Sequence, residues 1–159
     1  MNKHRAQCLV VHDDKILVVK HRQYGYEYYC LPGGGVEEGE TPKQAAKREL
    51  FEECCVRGSK LRLISKVFLD KHYNYTYCAD IGNQAPVLGE DPECRDNPIL
   101  VGAEWRSLGD LCERDRAWMW SAGLVYYDGF SNELGSWGDD ISYPRKRSTN
   151  TKVGKLTKK

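Results

Sequence analysis

Three glutamates stand at helical spacing in the segment RELFEECC, at Glu49, Glu52 and Glu53. At about 100° of rotation per residue, their carboxylates fall within an arc of roughly 100° on one helix face. Two carboxylates about 4 Å apart repel by about 4 kcal/mol at an effective dielectric constant near 20, so a converging cluster needs a compensating charge. Mg²⁺ takes oxygen ligands and binds phosphate oxygens readily. The spacing therefore predicts a divalent-metal site suited to a phosphate-containing substrate.

The simpler interpretation is an acidic helix face exposed to water. Like charges four residues apart cost only about 0.2–0.5 kcal/mol on an exposed helix, so such a face needs no ligand. The run Gly33-Gly34-Gly35 favours the metal site, because glycine lets a ligand or a metal come close to a backbone carbonyl. This run is not a P-loop, since no Gly-Lys-Ser/Thr follows it.

Residues 41–55 are predicted to form the helix that carries the glutamates. Thr41 can cap this helix, Pro42 suits its first position, and Gln44 completes a capping box. An apolar stripe on a different face can pack against a core, and it consists of Ala46, Leu50 and Cys54.

The segment from Gly34 to Val56 resembles the signature of the Nudix hydrolase family. The family pattern is G-x5-E-x7-R-E-U-x-E-E-x-G-U, in which U is a bulky apolar residue, and every defined position matches except one. Cys55 stands where the family has glycine. A glycine at a helix end usually supplies a left-handed turn. We therefore expect Cys55 to adopt that conformation at a cost of roughly 1–2 kcal/mol, or the turn to shift toward Gly58.

The resemblance implies an α/β fold, an α/β/α sandwich with a central mixed β-sheet. It also implies an enzyme that uses Mg²⁺ or Mn²⁺ to hydrolyse a pyrophosphate bond in a nucleoside diphosphate linked to another group. Nucleoside triphosphates, ADP-ribose, sugar nucleotides and dinucleotides all fit this reaction, and no further motif selects one of them.

Roles follow from the resemblance position by position. Glu52 and Glu53 would be metal ligands, and Glu49 would be a further ligand or the base. Arg48 would orient Glu49 or pair with Glu40. By these roles Glu49, Arg48 and Glu52 are the candidate catalytic residues, and Glu40 has a structural role.

The remaining contacts to metal and substrate are less determined by spacing. The carbonyl of Gly33 or Gly34 is a candidate metal ligand, and Gly34, Gly35 and Arg22 are candidate substrate contacts, although Arg22 equally fits an ordinary surface arginine. The tyrosines within 24–29 are either stacking partners for a nucleobase or half-buried strand residues. The family typically adds one more acid from a later loop, and the candidates are Glu90, Asp91, Glu93 and Glu104.

Short β-branched and aromatic runs predict a strand-rich domain with few helices. We predict a domain over residues 1–141 and a basic, frayed tail over 142–159, which holds seven Lys or Arg and no acid. Strands are predicted at 6–11, 15–20, 61–69, 71–79 and 99–105 and near the end of 21–30, helices at 41–55, 107–111 and 114–126, and a long loop at 81–98.

Composition points to an ordinary globular protein. The net charge of +1 gives no general attraction to nucleic acid or membrane, and no apolar run reaches the roughly 20 residues of a membrane span. Seven cysteines without a C-x-x-C pair argue against a disulfide framework and a zinc knuckle. We therefore expect a cytoplasmic protein with a small nucleotide substrate, no membrane or nucleic-acid partner, and a homodimer as one available state.

Two functions from different classes fit these observations. One is a metal-dependent pyrophosphohydrolase, and the other is a catalytically silent Nudix fold that senses a nucleotide or RNA. The presence of all three helix glutamates favours the enzyme.

Overall fold

The computed structural model of the protein describes residues 3–92, 95–96 and 98–124. The predicted domain limit at 141, the basic tail at 142–159 and Glu93 lie outside the described residues. The strands are β1 (Arg5–Leu9), β2 (Val11–His12), β3 (Lys15–Gln23), β4 (Tyr26–Cys30), β5 (Gly33–Gly35), β6 (Ser59–Leu69), β7 (His72–Asp80) and β8 (Leu100–Arg106). The helices are α1 (Pro42–Cys54) and α2 (Glu113–Ser121), with a 3₁₀ helix at Leu108–Asp110.

The strands form two four-stranded sheets. The first has the order β5-β1-β7-β6, and it is mixed because β1 runs parallel to β7 and antiparallel to β5. In the second, β3 pairs antiparallel with β2, β4 and β8. The predicted mixed α/β architecture is confirmed, with its strands divided between two sheets.

Alternating side chains of β1 and β3 build two cores on opposite faces of the sheets. Cys8 and Leu17 belong to the core that α1 covers, together with Leu50. Leu9 and Ile16 belong to the core on the other face, which α2 and the segment before it cover. This arrangement gives the three layers of an α/β/α sandwich.

Helix α1 begins as its sequence predicts. The Thr41 hydroxyl accepts a hydrogen bond from the Gln44 amide at 3.2 Å, and the Gln44 side chain accepts one from the Thr41 amide at 2.8 Å. The helix ends at Cys55, which adopts the left-handed conformation with φ 56° and ψ 30°. Of the two expectations for this end, the structure has the left-handed cysteine.

Two elements differ from the sequence prediction. The three glycines, expected only as a connection between a strand and the helix, form strand β5, which pairs with β1. Helix α2, predicted to run to residue 126, ends at Ser121, because the chain turns at Ala122 and Gly123, where Gly123 has φ 113°. Neither α1 nor α2, the two helices of the described chain, has the length and apolarity that a bilayer crossing needs.

Candidate active site

The glutamates of α1 lie against the glycine strand. Ala46, Leu50 and Cys54 turn one side of the helix into the core, and the adjoining side, which carries the glutamates and the buried Ala45, faces β5. A Cβ atom added to Gly34 would lie 2.6 Å from Glu49 Cδ, closer than real Cβ atoms come to another atom. Gly34 therefore has to be glycine for Glu49 to occupy its position.

Arg48 joins the glutamates to the loop before the helix. Its Nη1 donates to Glu49 Oε1 at 2.8 Å and to Glu52 Oε2 at 3.1 Å. Its Nη2 donates to Glu40 Oε1 at 2.7 Å and to the carbonyl of Gly35 at 2.9 Å. The sequence left open whether Arg48 contacts Glu49 or Glu40, and the structure contains both contacts.

Glu53 is the most buried of the three helix glutamates, with 6% of its surface exposed. Its Oε2 has no hydrogen-bond partner among the described residues, although the Gly33 backbone donates a hydrogen bond to the carboxylate. Burial, followed by the charge of Glu49, raises the pKa of the Glu53 carboxyl well above its usual range. Burial likewise raises the pKa values of Glu49 and Glu52, and Arg48 opposes both shifts. A bound cation would oppose all three shifts, because a nearby positive charge favours the ionised carboxylate.

The donor set fits a hard divalent cation. Three carboxylates lie on one helix face, and an unpartnered buried oxygen is a polar atom that a cation can satisfy. Over residues 3–92, 95–96 and 98–124, however, no three acidic, histidine or cysteine side chains already converge as a metal site. Arg48 accounts for this arrangement, because it holds the carboxylates of Glu49 and Glu52 toward itself. Metal binding would require those carboxylates to turn away from Arg48.

The segment after β7 closes over the end of α1. The amides of Val87, Gly89 and Glu90 donate to the carbonyls of Cys54, Glu53 and Glu52 at 2.9–3.0 Å. A Cβ atom on Gly89 would lie 2.8 Å from the carbonyl carbon of Glu52, so only glycine allows this approach. The segment thereby holds Glu90 and Asp91, two of the candidate loop acids, beside the end of α1.

Among the described loop acids, Asp91 is the one whose charge acts on the helix glutamates. Its charge contributes to the raised pKa values of Glu49, Glu52 and Glu53. Glu104 lies elsewhere, where it accepts from Tyr29 Oη at 3.2 Å and from Arg106 Nε at 2.7 Å.

Arg5 and Lys3 are cations beside the site that the sequence analysis did not single out. Arg5 pairs with Gly35 across β1 and β5, and its charge acts to lower the pKa values of Glu53 and Cys30. It forms no ion pair among the described residues. The Cδ of Lys3 lies 3.2 Å from where a Cβ of Gly35 would be. The signal was two basic residues at the start of the first strand, Lys3 just before it and Arg5 as its first residue.

Arg22 and the tyrosines near it do not join the glutamate cluster. Arg22 Nη2 donates to Glu27 Oε1 at 2.6 Å on the exposed surface of the second sheet. Tyr24 and Tyr26 are 89% and 67% exposed at the β3–β4 turn. The phosphate contact of Arg22 stays a prediction without support from the geometry.

A family model described as the NUDIX domain matches residues 2–127 of this chain. Diphosphoinositol polyphosphate phosphohydrolase 2 of Rattus norvegicus is 40% identical over 81 residues, which cover 47% of this chain and 44% of that protein. NAD-capped RNA hydrolase NudC of Edwardsiella ictaluri is 40% identical over 63 residues, which cover 38% of this chain and 24% of that protein. The matched part is therefore less than half of either relative.

A solved structure of a NUDIX hydrolase from Nitrosomonas europaea has the same fold. It superposes with a TM-score of 0.64 at 20% identity, and the match covers 82% of this chain and 72% of that chain. At this identity the likeness concerns the fold alone.

Proposed function

This chain belongs to the Nudix family, and from that premise we propose that it is a metal-dependent pyrophosphohydrolase. Its substrate is a small molecule in which a diphosphate links a nucleoside or a comparable group to another moiety. The observation that carries the proposal is the buried, unpartnered Oε2 of Glu53 beside Glu49 and Glu52 on one face of α1. A carboxylate kept in this position is costly unless a cation binds it.

Glu52 and Glu53 would hold Mg²⁺ or Mn²⁺, with Glu49 as a further ligand or the base and a backbone carbonyl of Gly33 or Gly34 as another candidate. When bound, the ion would neutralise the diphosphate and lower the pKa of water at the site toward neutrality. Asp91 is the best-supported additional acid, because its charge acts on all three helix glutamates.

The reaction breaks one phosphorus–oxygen bond of the diphosphate. The oxygen of a water molecule forms a new bond to one phosphorus, the other phosphate departs with the bridging oxygen, and Glu49 takes the proton of the water. Glu49 suits this task because Gly34 presents no side chain that would block a substrate from its carboxylate. Arg48 is a positioning residue, which fixes Glu49 and Glu52 relative to Glu40 and the Gly35 carbonyl.

Arg5 and Lys3 are proposed to bind the phosphates that are not cleaved. Both lie at the glycine strand, and Arg5 keeps a guanidinium without an ion pair among the described residues. Arginine suits this role because its planar guanidinium can donate two parallel hydrogen bonds to a phosphate. The named relatives act on diphosphoinositol polyphosphate and on NAD-capped RNA, so a substrate panel should include an inositol pyrophosphate and dinucleotides beside nucleoside triphosphates and ADP-ribose.

The test is to measure hydrolysis of this panel with Mg²⁺ and with Mn²⁺, with the release of phosphate or nucleoside monophosphate as the readout. Glu52→Gln/Glu53→Gln should lower the rate by more than about 10²-fold. Glu38→Gln is the matched control, because Glu38 is an exposed acid of the preceding loop. A double variant that still hydrolyses at the wild-type rate would contradict the proposed chemistry. If no panel member is cleaved but one binds, the silent sensor becomes the better description.

The cytoplasmic location, the homodimer and the absence of a nucleic-acid partner stay predictions from the sequence.

A further inference from the structure

A groove of about 760 Å³ lies where the C-terminal ends of β1 and β7 meet the segment after β7. Its floor includes Val10 and Ala79, and its wall includes Asn83 and Pro86. The volume falls in the range of about 300–1,000 Å³ that is typical of small-molecule pockets. Ala6 of β1 pairs with Gly34 of β5, which contacts Glu49. Val10 follows β1 and lies four residues beyond Ala6, about 13 Å along the direction of β1. The groove is therefore separate from the glutamate cluster.

An indole forms one side of this groove. Trp105 is half-buried, and its ring lies 5.9 Å from that of His12, which also lines the groove. Trp105 packs against the core that α1 covers, which restrains its ring. A restrained, partly exposed aromatic face is a stacking surface for a planar ring such as a purine.

Two cations also line the groove. Lys60 and Arg62 both line it, and neither forms an ion pair among the described residues. Ser59 pairs with Asp80, and the next pair is Arg62 with Cys78. The chain advances by three residues along β6 but by only two along β7, so β6 contains one extra residue, a β-bulge, between these pairs. Such a bulge redirects side chains, and Lys60 within it has φ 51°. Lys60 and Arg62 both line the groove.

The groove carries an excess of positive charge. Its acid, Asp80, already accepts a hydrogen bond from the Gly82 amide at 2.8 Å, and the His12 ring is paired with Asp13 at 3.2 Å. Lys60 and Arg62 thus remain available to an anion. An indole and two cations that line one groove match a ligand with a planar ring and a phosphate.

We propose that this groove binds a purine nucleoside monophosphate, with the purine on Trp105 and the phosphate at Lys60 and Arg62. The site lies outside the proposed catalytic machinery and needs no divalent metal. Its test therefore works whether or not the chain hydrolyses pyrophosphate.

The experiment is a titration of the full chain with AMP, monitored by amide and indole NMR shifts. It is done in EDTA and with the Glu52→Gln/Glu53→Gln variant. These conditions exclude turnover and metal-dependent binding at the glutamates. We expect saturable shifts of the Trp105 indole and of the Lys60, Arg62 and Asn83 amides, with a Kd below about 1 mM. Adenosine and inorganic phosphate, which each supply half of the ligand, should bind at least tenfold more weakly.

Lys60→Ala/Arg62→Ala should weaken AMP binding at least tenfold, and Arg62→Gln alone serves if that double variant does not fold. Lys43→Ala/Lys47→Ala removes two exposed lysines of α1 and should leave the affinity unchanged. The proposal is overturned if AMP produces no saturable shifts, if the shifts centre on the glutamates instead of the groove, or if the groove variants bind AMP like the parent.

Discussion

Gly34 and Glu49 are in direct contact across β5 and α1, so that a single added methyl group at Gly34 would fall 2.6 Å from the Glu49 carboxyl carbon. The same contact places the candidate base against β5, where Arg5 and Lys3 are proposed to bind the phosphates. This relationship links the glycine run and the acidic helix, which are separate features in the sequence, into one site.

The first prediction concerns this contact. Gly34→Ala should lower kcat by about 10²-fold, because a displacement of about 1 Å is enough to misplace a reacting group to that extent. Gly109→Ala is the control, since a Cβ there would meet nothing closer than Ser107 Oγ at 3.9 Å. Steady-state kinetics of both variants measure the effect. Equal rates for Gly34→Ala and wild type would show that Glu49 does not need its present position.

The second prediction concerns the ion pair of Glu40 with Arg48. Glu40→Gln should lower the free energy of unfolding at pH 7 by about 1–3 kcal/mol, because it removes a charge-assisted hydrogen bond whose carboxylate side chain is only 17% exposed. The hydrogen bond from Arg48 lowers the pKa of Glu40 in the folded state. The stabilisation is therefore present above the unfolded pKa of about 4.3 and is lost as the pH falls through the folded pKa.

Urea unfolding in EDTA at several pH values measures this difference. The gap between wild type and Glu40→Gln should be full at pH 6–7 and should close below about pH 4. A gap that is independent of pH would mean that the side-chain shape of Glu40, and not its charge, stabilises the loop.

The sequence predicts those features of the site that are determined by neighbouring residues, and it does not predict those that depend on segments far apart in the chain. The start of α1 and the left-handed conformation of Cys55 follow from residues within one helical turn, and both are confirmed. The pairing of Gly33–Gly35 with β1 joins segments far apart in the chain, and three glycines carry no side-chain pattern that indicates a strand. Local signals therefore predict the helix but not the strand opposite it.

The contributions of Arg5 and Asp91 also depend on tertiary structure. Asp91 reaches the glutamates through backbone hydrogen bonds between the segment around Gly89 and the end of α1, which no spacing indicates. For Arg22, by contrast, a local pattern accounts for its position, because side chains alternate along β3. Val19 faces the core under α1, and Arg22, three residues on, points to the other face and pairs with Glu27.

The third prediction concerns the end of α1. Cys55→Gly should raise the free energy of unfolding by about 1 kcal/mol, because glycine adopts φ 56° without the steric cost of a Cβ. Cys55→Ala is the control, which removes the thiol but keeps the Cβ and should give no such gain. Thermal unfolding of the three proteins measures it, and a lower Tm for Cys55→Gly would contradict this explanation.

The fourth prediction concerns the buried carboxylate of Glu53. In EDTA, Glu53→Gln should raise the Tm, because it replaces a buried carboxylate whose Oε2 lacks a hydrogen-bond partner among the described residues with a neutral amide of similar size. With saturating Mn²⁺ the order should reverse, since a ligand that binds only the folded state stabilises the wild type by mass action. Thermal scans of both proteins with and without Mn²⁺ test this reversal of the Tm order. If Mn²⁺ raises the Tm of Glu53→Gln as much as that of wild type, the prediction is contradicted.

The central claim is that the carboxylates of α1 bind divalent ions that also contact a substrate diphosphate. The most direct measurement is a titration of the protein with Mn²⁺, in which the electron paramagnetic resonance signal reports the free ion. It is done with and without a non-hydrolysable nucleotide analogue. The account predicts saturable Mn²⁺ uptake that tightens with the analogue and is lost in Glu52→Gln/Glu53→Gln but kept in Glu38→Gln. If wild type and Glu52→Gln/Glu53→Gln take up the same amount of Mn²⁺, or neither takes up any, the glutamates are an acidic surface and the account is wrong.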